Sequence, residues 1–503
     1  QVTMELEYGH DNLGLDTGIV PRINNQFMNV PIGRNYGQPY PAKQDNIFGG
    51  VNWSHQFNDD WSIKHSVSVN QSETDEMGLR AYSPFFAEFL VAGSPTDQIG
   101  LALNKISTRN NTYSTNIDLT GHFDTAGLKH TLLFGSDYYR VDNAYSWASS
   151  LYNMAGKNIL NPTPCADPYC GLVIDPNSPY ALVTPKTVTN TDQYGFYLQD
   201  QIKLPYDIHV MGGFRYQNIH QAGSSESNNL VVTPNISSSA DAVTPRVGLL
   251  WQPQHWLSLY SNYTENFGAN SGLVLVNADT KKQAAPTSSQ QWEVGAKTEF
   301  FGGRLRTTFA YYNLAKQNVA SADILNPGYV HLTGEVRSRG PELDIQGEVL
   351  PGWNVIATYA NTDIIVTKGN NQDYPAAGSR YWGVPRNTAS LWNTYDFQQD
   401  PMKGFKVGGG VTLRDGSLAY DYDLGNTSTT IPGYATVDLL AGYSMKVGKS
   451  KVSAQLNVNN LLDHNYYTQA SVFSSTVNSA GYGAGYVSFG APRTFMGSIK
   501  VEF

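Results

Sequence analysis

Residues 288–300 read SSQQWEVGAKTEF, and the alternation within them decides the fold. Trp292, Val294, Ala296, Thr298 and Phe300 fall on one face of an extended segment, Gln291, Glu293, Lys297 and Glu299 on the other. Successive side chains of a β-strand point to opposite sides, so this segment has an apolar and a polar face. The same period of two recurs in segments of about ten residues along the chain. In residues 451–462, KVSAQLNVNNLL, Val452, Ala454, Leu456 and Val458 oppose Ser453, Gln455, Asn457 and Asn459. In ATVDLLAGYSM, residues 435–445, the apolar set is Val437, Leu439, Ala441, Tyr443 and Met445. A soluble sandwich alternates in this way too, with the apolar face turned inward.

The connections separate the two readings. Short turns centre on Asn58-Asp59-Asp60, Asp124 to Gly127, Pro205-Tyr206, Pro253-Gln254, Gly302-Gly303, Pro351-Gly352, Asp400-Pro401 and Gly448-Lys449. Between them lie polar stretches rich in Asn, Ser, Gly and Tyr at 11–46, 73–111, 144–191, 220–242, 266–288, 316–333, 366–386, 415–432 and 464–490. About 18 strands joined by alternating short turns and long loops are expected of an all-β transmembrane antiparallel barrel. A propeller would need a recurring repeat of about forty residues, and none is visible.

Composition agrees. Charged residues make up 15% of the 503, aromatics 12%, with 32 tyrosines. No apolar run is long enough for a transmembrane helix. The net charge of −9 and the lack of a basic block argue against a nucleic-acid partner. The chain starts at Gln1 without a signal peptide, as expected of a processed or trimmed chain. Enzyme motifs are missing: there is no G-x-S-x-G, no H-E-x-x-H and no complete P-loop around Gly448-Lys449-Ser450.

Cys165 and Cys170, in NPTPCADPYCG, sit within a long loop. Two cysteines with four residues between them, in an oxidising setting, read as a small disulfide. A metal site would need two further ligands, and only Asp167 is near in sequence. Loop aromatics are the candidates for binding a ligand: Tyr145, Trp147, Tyr152, Phe267, Tyr374, Tyr381, Trp382, Tyr420, Tyr422, Tyr482 and Tyr486. The competing reading for any one of them is the aromatic girdle at a lipid headgroup boundary.

From residue 190 to the end, several stretches in order resemble the TonB-dependent receptors, and within them the ferric hydroxamate (ferrichrome-type) siderophore branch. They are FYLQDQIKL (196–204), TPRVGLLWQP (244–253), LYSNYTENF (259–267), QWEVGAK (291–297), AYYNLAKQN (310–318), GEVRSRGPELDIQGEV (334–349), LNVNNLLDHNYY (456–467) and GAPRTFMGSIKVEF (490–503). LLFGSDYYR (132–140) fits as well. The resemblance implies a barrel of about 22 strands with a plugged lumen, in which QVTMELEYGH corresponds to the fifth strand. The plug, the TonB box and four strands are then expected upstream of this sequence. The strand 490–503 would close the barrel, with Phe495, Ile499, Val501 and Phe503 towards lipid and Thr494, Ser498, Lys500 and Glu502 towards the lumen.

The resemblance also narrows the site. It puts Phe267, the pair Tyr145 and Trp147, and an aromatic of the last loop, Tyr482 or Tyr486, against the ligand; Tyr381 and Trp382 are added from loop composition. The family's cysteine pair in the last loop is absent. The implied function is active import of a ferric siderophore of hydroxamate type, with TonB-ExbB-ExbD supplying energy. The iron would arrive already chelated, so neither a protein metal site nor a resident cofactor is expected. Outer-membrane lipids surround the implied barrel, which acts as a monomer. Lumen charges Glu293, Lys297, Glu299, Glu342, Asp344, Glu348 and Asp438 either line a wet channel or pair with the plug. The alternatives are a passive porin-like channel and a receptor for another bulky ligand such as a vitamin, an oligosaccharide or a foreign chelate.

Overall fold

The structure, a computed structural model, describes all residues except 15–18, 24–25, 32, 38–40, 83–96, 151–154, 164, 168, 175–181, 184–185, 227–235, 271–272, 278–279, 323–329, 370–375, 422–428, 473–481 and 503. Phe503, Tyr152, Tyr374 and Tyr422 therefore lie outside the described residues.

Eighteen long strands form the wall. The first six are β1 (Val2–Gly14), β2 (Pro41–Gln56), β3 (Trp61–Tyr82), β4 (Gln98–Thr125), β5 (Leu128–Ser149) and β6 (Lys186–Leu204). Then come β7 (Ile208–Glu226), β8 (Ile236–Gln254), β9 (Leu257–Gly268), β10 (Thr287–Phe300), β11 (Leu305–Ala322) and β12 (Val330–Leu350). The last six are β13 (Trp353–Asn361), β14 (Asn387–Asp396), β15 (Phe405–Arg414), β16 (Tyr434–Val447), β17 (Ser450–Asn459) and β18 (Thr494–Glu502). Each pairs antiparallel with the next, from β1 on β2 to β17 on β18. Among the described residues no ladder joins β18 to β1, so the sheet is an open barrel wall.

Seven of the eight short turns fall where the sequence places them, and the eighth is shifted by two residues, from Pro253-Gln254 to His255-Trp256. The long stretches, however, are shorter than expected, because strands run on into them. Residues 73–111 are mostly strand, since β3 continues to Tyr82 and β4 starts at Gln98. At 28 residues β4 is about 90 Å long, whereas crossing the bilayer takes only about 9–11 residues. Beyond the lipid neither face must be apolar, so the ladder continues while the alternation that marks it in sequence disappears.

On β10 the expected faces are the observed ones. Trp292 and Val294 are 41% and 45% exposed on the lipid side, while Glu293, on the other face, accepts a hydrogen bond from the Tyr260 hydroxyl at 2.6 Å. The inner face is braced by polar contacts. Arg215 donates to both oxygens of Asp137, at 2.5 and 2.9 Å, and Tyr197 donates to Asp118 at 2.5 Å. Gly135 leaves room for this: a Cβ there would meet the Tyr197 ring at 2.3 Å.

The apolar cores lie on the long-loop side. One cluster joins Ile19, Tyr36, Ala81, Ile99, Leu101 and Ile159; a second joins Val20, Ala419, Ile431, Ala470, Val472 and Val487. Between them runs a small five-stranded sheet whose strands include Ile19–Ile23, Tyr467–Val472 and Tyr482–Phe489. Neighbouring residues on these strands face opposite ways: Ile19 and Tyr486 join the first cluster, Val20 and Val487 the second. The first and last long loops are thus knitted into a folded cap over the upper ends of β3 and β4.

Candidate functional site

The inward face can be followed upward along β5. Tyr145 and Trp147 share the parity of Gly135 and Asp137, which face the lumen, and the ladders to β4 and β6 run without a register shift. Both aromatics thus project from the inner surface at the mouth. Trp147 Nε1 donates to Asn104 Oδ1 at 2.7 Å, and the Tyr82 hydroxyl donates to the same oxygen at 3.1 Å. Asn104 is fully buried and donates its own Nδ2 to the Ala102 carbonyl at 3.0 Å. Glu76 and Arg80 form an ion pair on the same face of β3 as Tyr82. Burial pushes the Tyr145 and Tyr82 hydroxyls above the ordinary tyrosine range, so both are neutral donors at physiological pH.

Asn104 also marks where the wall changes character. Ile99 and Leu101, at odd positions of β4, back onto the first apolar cluster, while Asn104, at an even position, faces the aromatics. An apolar core behind and an aromatic-amide group in front hold this part of the mouth. Sequence reasoning missed Asn104 and Tyr82; the available signal was a lone amide inside the apolar run at 99–106.

The other expected residues scatter. The rings of Tyr381 and Trp382 lie 5.0 Å apart, tilted by 32°, and Trp382 meets Tyr420 edge-on at 4.3 Å. The Gly383 amide donates to the Leu418 carbonyl at 2.8 Å, tying this arm to the segment that ends in the small sheet. Burial raises the Tyr381 hydroxyl above its ordinary range. Tyr486 is packed into the first apolar cluster. Tyr482 opposes Ile23 in the small sheet; its side chain lies outside the described residues. Phe267 pairs with Ser288 on β10 and shares the parity of Leu259 and Ser261, which oppose the outward Ala296 and Val294. It therefore stands on the outward face, while its carbonyl accepts from Gln217 Nε2 at 3.2 Å.

Cys165 and Cys170 are disulfide-bonded, with Cα atoms 5.1 Å apart, and pack against the first cluster. Asp167 braces the loop between them: its carboxylate accepts from the Tyr169 and Gly171 amides at 2.9 and 2.8 Å. Among the described residues no three His, Cys, Asp or Glu side chains are grouped to hold a metal.

A wall of long antiparallel strands with lipid-side apolar residues, a polar lumen and an aromatic mouth defines a transmembrane barrel of receptor type. The family model described as "TonB dependent receptor-like, beta-barrel" matches residues 2–461, and the chain belongs to that family of outer-membrane proteins. The metal-pseudopaline receptor CntO of Pseudomonas aeruginosa is 28% identical over 99% of this chain and 65% of its own length. The ferrioxamine B receptor of Salmonella typhimurium is 27% identical over 98% of this chain and 63% of its own. The chain thus spans just under two thirds of the length of these relatives. In structure it is similar to the siderophore receptor PiuA from Acinetobacter baumannii, with a TM-score of 0.80 at 21% identity, covering 100% of this chain and 72% of that one. These relatives are receptors rather than enzymes. They are named for different chelates at nearly equal identity, so family membership singles out no hydroxamate branch.

Proposed function

We propose that this barrel captures a ferric siderophore at its mouth and imports it, with energy from TonB-ExbB-ExbD reaching it through a plug outside this sequence. The observation that carries this reading is the inward aromatic group of the mouth: Tyr82 and Trp147 held on Asn104, with Tyr145 at the next inward position of β5. A ferric chelate already saturates its iron, so its host needs π-rich walls and a few neutral donors for the chelate's oxygens. A hydroxamate chelate suits that chemistry, and the ferrioxamine B receptor among the relatives supports the choice. No protein ligand to the iron and no resident cofactor are needed. Inward carboxylates such as Glu342 and Asp344 would meet the plug.

The test is a binding titration of the full-length receptor with a panel of ferric and iron-free chelates. Ferric hydroxamates are expected to bind at micromolar levels or tighter, and failure of every ferric chelate to do so defeats the reading. Asn104→Leu, which removes the shared acceptor, is expected to weaken binding by about tenfold or more. Uptake that persists without TonB would favour a passive channel instead.

A further inference from the structure

Several arginines of this protein pair with a carboxylate. Arg80 pairs with Glu76, Arg109 with Glu73, Arg140 with Asp142, Arg215 with Asp137, Arg304 with Glu348 and Arg339 with Asp363. Arg386 and Arg414 are exposed and have no carboxylate partner among the described residues, as is also true of Arg246, which instead donates to Gln199 Oε1 at 3.4 Å.

They also share a face. Directly opposed residues of antiparallel strands point the same way, and Gly295, Ala310, Glu342, Ala360, Thr388, Arg414 and Tyr434 oppose one another in turn from β10 to β16. Gly295 has the parity of Glu293, so Arg414 faces the lumen. Arg386 precedes Thr388 by two and its carbonyl extends the ladder by accepting from the Thr362 amide at 2.7 Å. Arg386 thus faces the lumen too, on the diagonal from Arg414, where Cα atoms lie about 7–8 Å apart. Arg414 is the last residue of β15, about 30 Å along the strand from its short turn, at the mouth. Of the nearby acids, Asp415 accepts from Asn387 Nδ2 at 2.6 Å and Asp438 from the Asn460 amide at 2.7 Å, and neither forms an ion pair with these arginines.

Beside the arginines stands an aromatic pair. Tyr434 opposes Arg414, and its ring lies 4.2 Å from that of Tyr466. The Tyr466 ring fills the space over Gly490, where a Cβ would be 2.0 Å away. The buried Asn460 amide ties this turn down, donating to the carbonyls of His464 and Ala491 at 2.9 and 3.0 Å. Two like charges side by side repel, and an arriving anion relieves that repulsion while gaining charge-assisted hydrogen bonds.

We propose that Arg386 and Arg414, walled by Tyr434 and Tyr466, form a carboxylate-binding subsite that selects chelates carrying a negative group. This rests on the siderophore reading above and adds the charge class of the ligand. The test uses the full-length receptor and two probes: a linear ferric trihydroxamate with a free terminal amine, and the same chelate with that amine succinylated. The succinylated chelate should bind the wild type more tightly, with an affinity that falls as salt rises. The double variant R386Q/R414Q should lose about tenfold or more of that affinity while losing none for the amine form, whose ammonium the two guanidinium groups repel, and R386K/R414K should recover part of the preference.

Equal loss for both chelates, or none for either, overturns the subsite. So does a loss of thermal stability with unchanged discrimination, which would mean the arginines pair with a carboxylate of the protein itself. If the wild type binds neither chelate, the subsite is overturned, and the siderophore reading fails with it only if every other ferric chelate of the panel also fails to bind; that outcome is distinct from a wild type that binds both and a variant that does not discriminate.

Discussion

Val294 in the wall and Leu101 in the cap are both aliphatic residues on long antiparallel strands, yet the first is 45% exposed and the second not at all. Their surroundings differ in kind. Val294 meets lipid, which is as apolar as a side chain, so the wall needs no interior core and is held by its ladders. Leu101 meets Ile99, Tyr36 and Ile159, and its cluster excludes water as the core of a soluble domain does. The protein thus combines two folding regimes in one sheet: hydrogen bonds confine the wall, and apolar burial confines the cap.

The largest effect that tests this division is Leu101→Ala. A cavity in a closed core costs about 2–5 kcal/mol, so the long loops should become protease-sensitive and chelate binding should fall. The wall should keep its resistance to denaturation. Leu249→Ala, on the lipid face, is expected to change little, because lipid replaces the lost contacts. If both variants weaken the wall equally, the two regions are one cooperative unit and the comparison breaks.

A charge should show the reverse order. Val294→Arg places a guanidinium on the lipid face and should cost up to about 2–4 kcal/mol of barrel stability, the more the nearer the residue lies to the middle of the bilayer. Val173→Arg, at a cap position 72% exposed, should stay within about 0.5 kcal/mol. Unfolding in lipid vesicles with each variant reads both numbers. A small cost at Val294 would mean that the outward parity assigned to β10 is wrong.

Third in size is the Cys165–Cys170 bond. It closes a short loop, so its removal in C165S/C170S should cost about 2 kcal/mol and no more. The loss should be confined to cap amides in hydrogen exchange. Protection lost from β10 or β16 would show that the cap props up the wall.

How far the sequence was readable follows the same division. The alternation at 288–300, the eight turns and the strand number were legible because lipid on one face and water on the other impose a period of two. The upper reaches of β3 and β4 were not, since nothing there enforces alternation and only pairing with a distant strand keeps them extended. The candidate site divides likewise. Tyr145 and Trp147 lie on the inward face because their parity is continuous with that of Asp137. Phe267 stands on the outward face, which its neighbours' composition did not reveal. Tyr486 serves the cap core, a role set by residues more than four hundred positions away, such as Ile19. Arg386 and Arg414 gave no local signal; their likeness lies in shared face and missing partners, which only the ladders bring out.

The smallest expected effect is at Asp167, and it shows whether the cap titrates locally. The Gly171 amide, and then the Tyr169 amide, hold this carboxyl below the ordinary aspartate range. The folded loop therefore favours the carboxylate, and the unfolded loop takes up its proton at a higher pH. The contribution to loop order is full above the ordinary value of about 4 and is lost as pH falls through the lower folded value. Reduction of the neighbouring disulfide by a phosphine, followed from about pH 6 to about pH 3, reads this loosening without a thiolate's own titration. The wild-type rate should rise on acidification by more than that of Asp167→Asn, which keeps an acceptor oxygen but carries no charge. Equal pH dependence in the two would place the brace in the disulfide and the apolar cluster behind it, and would leave Asp167 no part in ordering the cap.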